Sequence, residues 1–253
     1  MTKNAVEGIA LLIVFAFLWI PIGQTPFLVE HWMKLGTFLL PMLFFIALTF
    51  HGPISATSFR APKFLALLLF AAYLIHQFEE HWIDLFGNEY AFQGSINSLV
   101  QRVLSFSPSQ TGPLTAEAIF VINTSLVWLV AAVAIWQAPQ RIFPTFALAA
   151  IVIINALVHI VVGVSTLSYN PGLLSSILVF IPLATFTYWR IPARRTVLLV
   201  SLVWGILAHM IMGVGMMAST WWELISPLNY YAVLIAWSIL PFALSIAARR
   251  ELP

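Results

Sequence analysis

Cysteine is absent from this chain of 253 residues. That excludes disulfides, thiolate nucleophiles and thiolate ligands, so any metal must be held by nitrogen and oxygen donors. Charge is also scarce. Only 8% of residues are Asp, Glu, Lys or Arg, against about a quarter in soluble domains, while 61% are hydrophobic and mean hydropathy is +0.98. Lysine occurs only as Lys3, Lys34 and Lys63, never in mid-span, which leaves nothing to carry a retinal Schiff base. There is no phosphate-cradling glycine loop, no Gly-x-Ser-x-Gly and no His-Glu-x-x-His. The histidine clusters of membrane desaturases and hydroxylases are missing too. A net charge of only +2 removes nucleic acid as a partner, despite a pI near 9.1.

What remains is apolar sequence in lengths that suit a bilayer, which takes about 20 residues per helix. Eight candidate spans follow: 7–23, 35–51, 63–83, 117–137, 143–165, 173–189, 196–218 and 229–247. The fold class is therefore all-α, a polytopic membrane bundle forming one domain over 1–253. Residues 3–22 resemble a signal peptide but lack a small-x-small cleavage site, so they read as an uncleaved first span. Pro41, Pro182 and Pro241 fall inside spans, where kinks are expected. The one long connection, 84–116, reads as an outer lid or re-entrant piece. With the N-terminus inside, nine of the eleven cations (Lys3, Arg60, Lys63, Arg141, Arg190, Arg194, Arg195, Arg249 and Arg250) fall in inner loops. The positive-inside rule makes that side cytoplasmic, with both termini there.

The third span should be purely apolar, and from Phe64 to Ile75 it is. His76-Gln77-Phe78-Glu79-Glu80-His81 then breaks the run. Charged residues at a helix centre cost roughly 2.5–3.5 kcal/mol each on insertion scales, so such a cluster marks a site rather than packing. On a regular helix His76, Glu79 and Glu80 share a face at i, i+3 and i+4. His81 lies about 140° round from His76 and is expected to face elsewhere, next to an interfacial Trp82. The third, fifth and seventh spans run the same way, and each carries a histidine in its outer half: His76, His159 and His209. By helical rise these sit roughly 9–14 Å below the outer helix ends. Asn155, one turn before His159, and Asn123 in the fourth span join the same layer. Glu117 reads as a surface acid at a helix N-terminus, His31 as an outer-loop residue and His51 as interfacial. Leu157–Val164 also aligns weakly with Leu207–Val214, a Gly following each His by four residues.

His76-x-x-Glu79-Glu80, followed by Asn155-x-x-x-His159 and then Tyr169-Asn170-Pro171-Gly172, resembles the HXXEE family of small bacterial membrane proteins. The resemblance covers about 65–190 and leaves two spans outside it at each end. It implies a site and a bacterial plasma-membrane location, with no particular reaction. In the Tyr-Asn-Pro-Gly turn, Tyr169 suits the interface, Asn170 can N-cap and Pro171 fits the first turn of the sixth span.

Two histidines and a carboxylate from two helices form the donor set of catalytic zinc and non-haem iron. The expected metal ligands are His76, Glu80, His159 and His209; Glu79, Glu80 and Asn155 are expected to be catalytic. Of the adjacent Glu79 and Glu80, one should be a ligand and the other a titrating acid or base. The leading expectation is a metal-dependent membrane enzyme acting on a lipid-like substrate from the outer leaflet, hydrolytic rather than oxidative. A metal-free terpenoid cyclase with a glutamic acid catalyst, a proton- or metal-coupled transporter and a structural membrane protein remain as alternatives.

Overall fold

The computed structural model describes residues 25–51, 54–55, 57–104, 112–138 and 141–247. These residues form helices and no strand beyond an isolated bridge between Ile83 and Glu89. In chain order they are α1 (Pro26–His51), α2 (Pro62–Gln77), α3 (Ala91–Leu104) and α4 (Ala116–Gln137). Then come α5 (Phe143–Thr166), α6 (Leu173–Arg190), α7 (Arg195–Thr220) and α8 (Pro227–Ala247). The last five, with α8 counted over Pro227–Ser245, are long and apolar enough to cross a membrane. The expected first span, 7–23, lies outside the described residues. The expected spans 35–51 and 63–83 are helical but are not among those five: α1 carries Glu30 and Lys34, and α2 carries Lys63 and runs into the Glu79-Glu80 pair.

Burial separates the centre of the bundle from its rim. Most of α4 (83%) is buried inside the protein, but only 22% of α7. The first half of α5, from Phe143 to Val152, is buried throughout. Small side chains there (Ala147, Ala149, Ala150) let neighbours approach, and large ones fill the space between: Trp32, Leu69, Leu74, Phe146 and Ile151 are all essentially inaccessible. Against Ala150 stands Gly205 of α7, where an added Cβ would lie 2.8 Å from the Ala150 Cβ and 3.1 Å from its backbone carbon.

Two sequence expectations change here. His31 lies within α1 rather than in a loop, because Pro26 starts a helix nine residues earlier than expected. Glu30 and Lys34 at i and i+4 support that extra turn. Residues 84–116 are not a plain loop either, since they contain the 14-residue α3. Three helices also carry π-helical stretches: Phe78–Trp82 continues α2, Asn123–Leu129 lies in α4 and Ser176–Phe180 in α6. In α6 the cause is Pro182, which has no N–H to give and whose ring crowds the carbonyl four residues back. In α4 the Asn123, Thr124 and Ser125 side chains donate to the carbonyls of Ile119, Phe120 and Val121, competing with the backbone ladder.

The two glycines of α7 give a matched test. Gly205→Ala presses on α5 backbone and should lower stability by about 1–3 kcal/mol. Gly213→Ala meets nothing within 4 Å and should be neutral or stabilising by up to about 1 kcal/mol through helix propensity. Thermal unfolding of both variants in detergent checks this; equal shifts would contradict the packing described.

Candidate metal centre

The π turn after α2 builds the site. A regular helix would carry His81 away from His76, but here the Ile83 N–H reaches the Phe78 carbonyl at 2.9 Å, an i→i+5 bond. That longer repeat swings His81 back over His76. The expectation that His81 faces elsewhere is therefore corrected: it is buried, with Nε2 2.8 Å from Glu80 Oε2. His76 Nε2 lies 3.3 Å from the same oxygen, and His159 Nε2, from α5, lies 3.2 Å from Glu80 Oε1. One buried carboxylate thus faces three imidazoles. Phe180, Tyr73 and Phe92 pack against the rings at centroid distances of 4.3, 5.7 and 4.8 Å.

Fixed donors settle which way the protons point. The Asn170 amide donates to the His159 carbonyl, so its oxygen, 2.7 Å from His159 Nδ1, accepts the ring N–H. Ser175 Oγ donates to the Gly172 carbonyl and accepts from His76 Nδ1 at 2.8 Å. A longer relay starts at the Trp128 indole N–H, which can only donate. It gives to Gln77 Oε1, Gln77 gives to Asn123 Oδ1, and the Asn123 amide gives to the Ile119 carbonyl and to His81 Nε2 at 3.1 Å. In their neutral forms His76 and His159 turn an Nε2 lone pair toward Glu80, while His81 Nε2 lies between the Asn123 amide and Glu80. His76 Nε2 is fully buried and makes no hydrogen bond among the described residues.

Acceptors facing acceptors call for a cation between them. His76, Glu80 and His159 each offer an atom, all within 4.8 Å of one another. His76 meets Glu80 Oε2 at 3.3 Å and His159 meets Glu80 Oε1 at 3.2 Å, so the carboxylate faces both rings. The donor set, the spacing and the orphaned nitrogen all fit a divalent ion. Asn170 and Ser175 supply the outer hydrogen bonds that such histidines need.

Glu79 is placed differently. Its carboxylate accepts from Leu174 N at 3.0 Å, Ser175 N at 2.7 Å and Tyr169 Oη at 3.0 Å. It thereby holds the N-terminus of α6, where free N–H groups and the helix dipole favour an anion. The expectation for the Tyr169–Gly172 turn changes as well. Gly172, not Asn170, is the residue that precedes the helix, and Asn170 is committed to His159. Tyr169 also accepts from the Leu85 N–H. Burial raises the Tyr169 phenol above its usual range, against the lowering effect of the Leu85 N–H and with the help of Glu79, so it stays a neutral donor.

Residues 67–187 match the family model described as a protein of unknown function with HXXEE motif. The stretch is an HXXEE domain. Neither the curated proteins nor the solved structures offer a match to the chain. Within the HXXEE domain, His76 and Glu80 of the motif meet each other, while the first Glu, Glu79, anchors the N-terminus of α6.

Other expected residues are distributed around the HXXEE centre. Asn123 joins it through His81, and Glu117 is exposed in the first turn of α4, as expected. His209 lies outside the metal-capable group, with Nδ1 2.8 Å from the Gly205 carbonyl. Asn155 makes no bond to His159; its Oδ1 is buried with no partner among the described residues. Both His209 and Asn155 line a cavity of about 170 Å3 that also touches Glu80, His81 and His159. A second cavity, of about 300 Å3, has Glu30, His31, Tyr90 and Gln93 in its wall and shares His81, Phe92 and Ile119 with the first. The glycines of the weak internal repeat differ: Gly163 lies against Leu173 and Asn170, while Gly213 faces open space. Sequence reasoning missed His81, Gln77, Ser175 and Gly172. Only the Tyr-Asn-Pro-Gly pattern hinted at the last.

Gly172 has φ +91°, and a Cβ there would stand 2.7 Å from His76 Cε1 and 2.8 Å from His159 Cε1. Gly172→Ala should therefore cost on the order of 1–3 kcal/mol in strain alone and push both rings from Glu80. Thermal unfolding with histidine-ring NMR measures both effects; unchanged ring signals would contradict the contact.

Proposed function

We propose that this protein is an integral-membrane, metal-dependent enzyme whose His/Glu centre acts on a lipid-like or amphipathic substrate, by hydrolysis rather than oxidation. The observation that carries this reading is the convergence of buried His76, Glu80 and His159 donor atoms within 4.8 Å of one another, with His76 Nε2 free of any hydrogen bond among the described residues. His76, Glu80 and His159 are the ligands in this reading. A bound zinc or iron ion would supply Lewis acidity toward a carbonyl or phosphoryl group and a water of lowered pKa. His81, beside Glu80 and the Asn123 amide, would give up the Asn123 hydrogen bond and take the proton that an attacking water loses. Asn155 contacts the substrate from the cavity wall. Glu79 holds α6, and with it Ser175 and Asn170, in register with the ligands. The cavity bordered by Glu30, Tyr90 and Gln93 also touches His81, and in this reading water reaches the centre from there. That arrangement favours hydrolysis.

Elemental analysis tests the centre directly. Wild-type protein should carry about one zinc or iron per chain, and His76→Ala and Glu80→Gln should lose it. Glu79→Gln should keep the metal and lower the unfolding temperature, since it weakens three hydrogen bonds to α6. Metal-free wild-type protein, or full occupancy in both ligand variants, ends this reading and returns the cyclase and transport alternatives.

For the whole chain we propose eight spans in a bacterial plasma membrane, both termini cytoplasmic and 84–116 outside. The distribution of cations supports it. Cysteines introduced at Ser95 and Arg194 report it: position 95 should react with an impermeant thiol reagent in intact cells, and position 194 only after permeabilisation. The reverse pattern inverts the topology.

A further inference from the structure

The 170 Å3 cavity is polar at two places that the metal reading does not use. Asn155 Oδ1 is buried and unpartnered among the described residues. Since the Gly205 carbonyl can only accept, His209 donates from Nδ1, and its Nε2 is left as an acceptor in the cavity wall. The two residues stand at one level. Gly205 touches Ala150, and His209 and Asn155 lie four and five residues beyond that contact, on helices that run the same way because only α6 separates them. By helical rise that is about 6 and 7.5 Å along the axis. Asn155 Oδ1, buried without a donor among the described residues, wants one.

The chamber also has a side door. Val158 lines it and is 45% exposed. Opposite, on α7, Met212 and Gly213 line it, and a Cβ on Gly213 would meet nothing within 4 Å. The outward neighbours Val161, Met210 and Val214 are exposed apolar residues, as expected of helix faces turned to lipid. An apolar cavity of about 150 Å3 accepts a guest the size of benzene, so this one takes only part of a lipid. The rest must lie between α5 and α7 or in the bilayer.

We infer that the cavity binds the hydroxyl-bearing portion of a long-chain lipid, which enters sideways from the bilayer between α5 and α7 at Gly213 and donates its one hydroxyl proton to Asn155 Oδ1, with His209 beside it. This names the substrate class for the centre proposed above and rests on that reading. Asn155 lies one helical turn from His159, so the hydroxyl sits about 6 Å from the reacting group. The remaining hydrocarbon leaves past Val158 and Gly213.

The test uses full-length protein in phosphatidylcholine vesicles containing a long-chain primary alcohol with a mid-chain diazirine, or its methyl ether at the same mole fraction. On illumination the alcohol should label cavity peptides about tenfold more than the ether, the worth of one good hydrogen bond to a buried acceptor. Asn155→Leu should erase that preference and His209→Leu should reduce it, and Gly213→Phe should reduce labelling by either probe. Size-exclusion profiles and metal content are read on the same samples. Equal labelling by alcohol and ether, or undiminished labelling of Gly213→Phe, overturns the inference. Metal-free wild-type protein that keeps the alcohol preference sinks the metalloenzyme reading and leaves the binding site standing; a full metal site with no preference does the opposite.

Discussion

The constraint on which this structure turns is the buried negative charge of Glu80, 5% exposed and ringed by His76, His81 and His159. A carboxylate removed from water is costly unless something positive or hydrogen-bonding replaces the solvent. Here the rings are held from outside: His76 Nδ1 meets Ser175, His159 Nδ1 meets Asn170, and His81 Nε2 lies between the Asn123 amide and Glu80. The polar residues of this region are therefore not independent. Each helps to hold the nitrogens around Glu80, and His76, Glu80 and His159 form a group that could hold a metal ion.

Irregular backbone is what makes the arrangement possible in helices. Three π-helical stretches lie on the helices that surround the centre, α2, α4 and α6. Such stretches add a residue to one turn and recur at functional sites. On α2 the extra residue recruits His81, and on α4 it begins at Asn123, which orients His81. On α6 it follows Ser175, whose hydroxyl holds His76. The N-terminus of α6 is in turn bound by Glu79, so the two carboxylates of one motif do different work: one presents a charge to the site, the other fastens the helix that holds the site's ring nitrogens.

The centre also stands at a boundary between two kinds of surroundings. His81, Phe92 and Ile119 separate an apolar chamber from one with Glu30, Tyr90 and Gln93 in its wall. Phe92 belongs to α3, the helix inside the 84–116 connection, and its ring packs on His81 at 4.8 Å. That connection thus places an aromatic side chain at the junction, a role in keeping with a lid-like segment.

Much of this could be read before any coordinates. Charge scarcity and apolar runs identified membrane-type helices, and the cost of ionisable groups in such helices singled out His76, Glu80 and His159. Depth along the helix axis follows from residue count alone, so the shared layer of polar residues was visible too. What a residue count cannot supply is azimuth. His81 was misplaced because a π turn breaks the 100° step per residue, and that turn arises from packing rather than from a local sequence signal. His209 lies at the right depth, yet its ring donates to its own helix and stays out of the group, a choice made by how α7 rests on α5 at Gly205 and Ala150. The separation of Glu79 from Glu80, identical neighbours in sequence, was likewise decided by tertiary contacts, because only the folded chain brings the α6 N-terminus to one carboxylate and His159 to the other. The sequence by itself determined which residues are too polar to face lipid; the packing of helices decided which of them meet, because direction around a helix depends on every neighbour it touches.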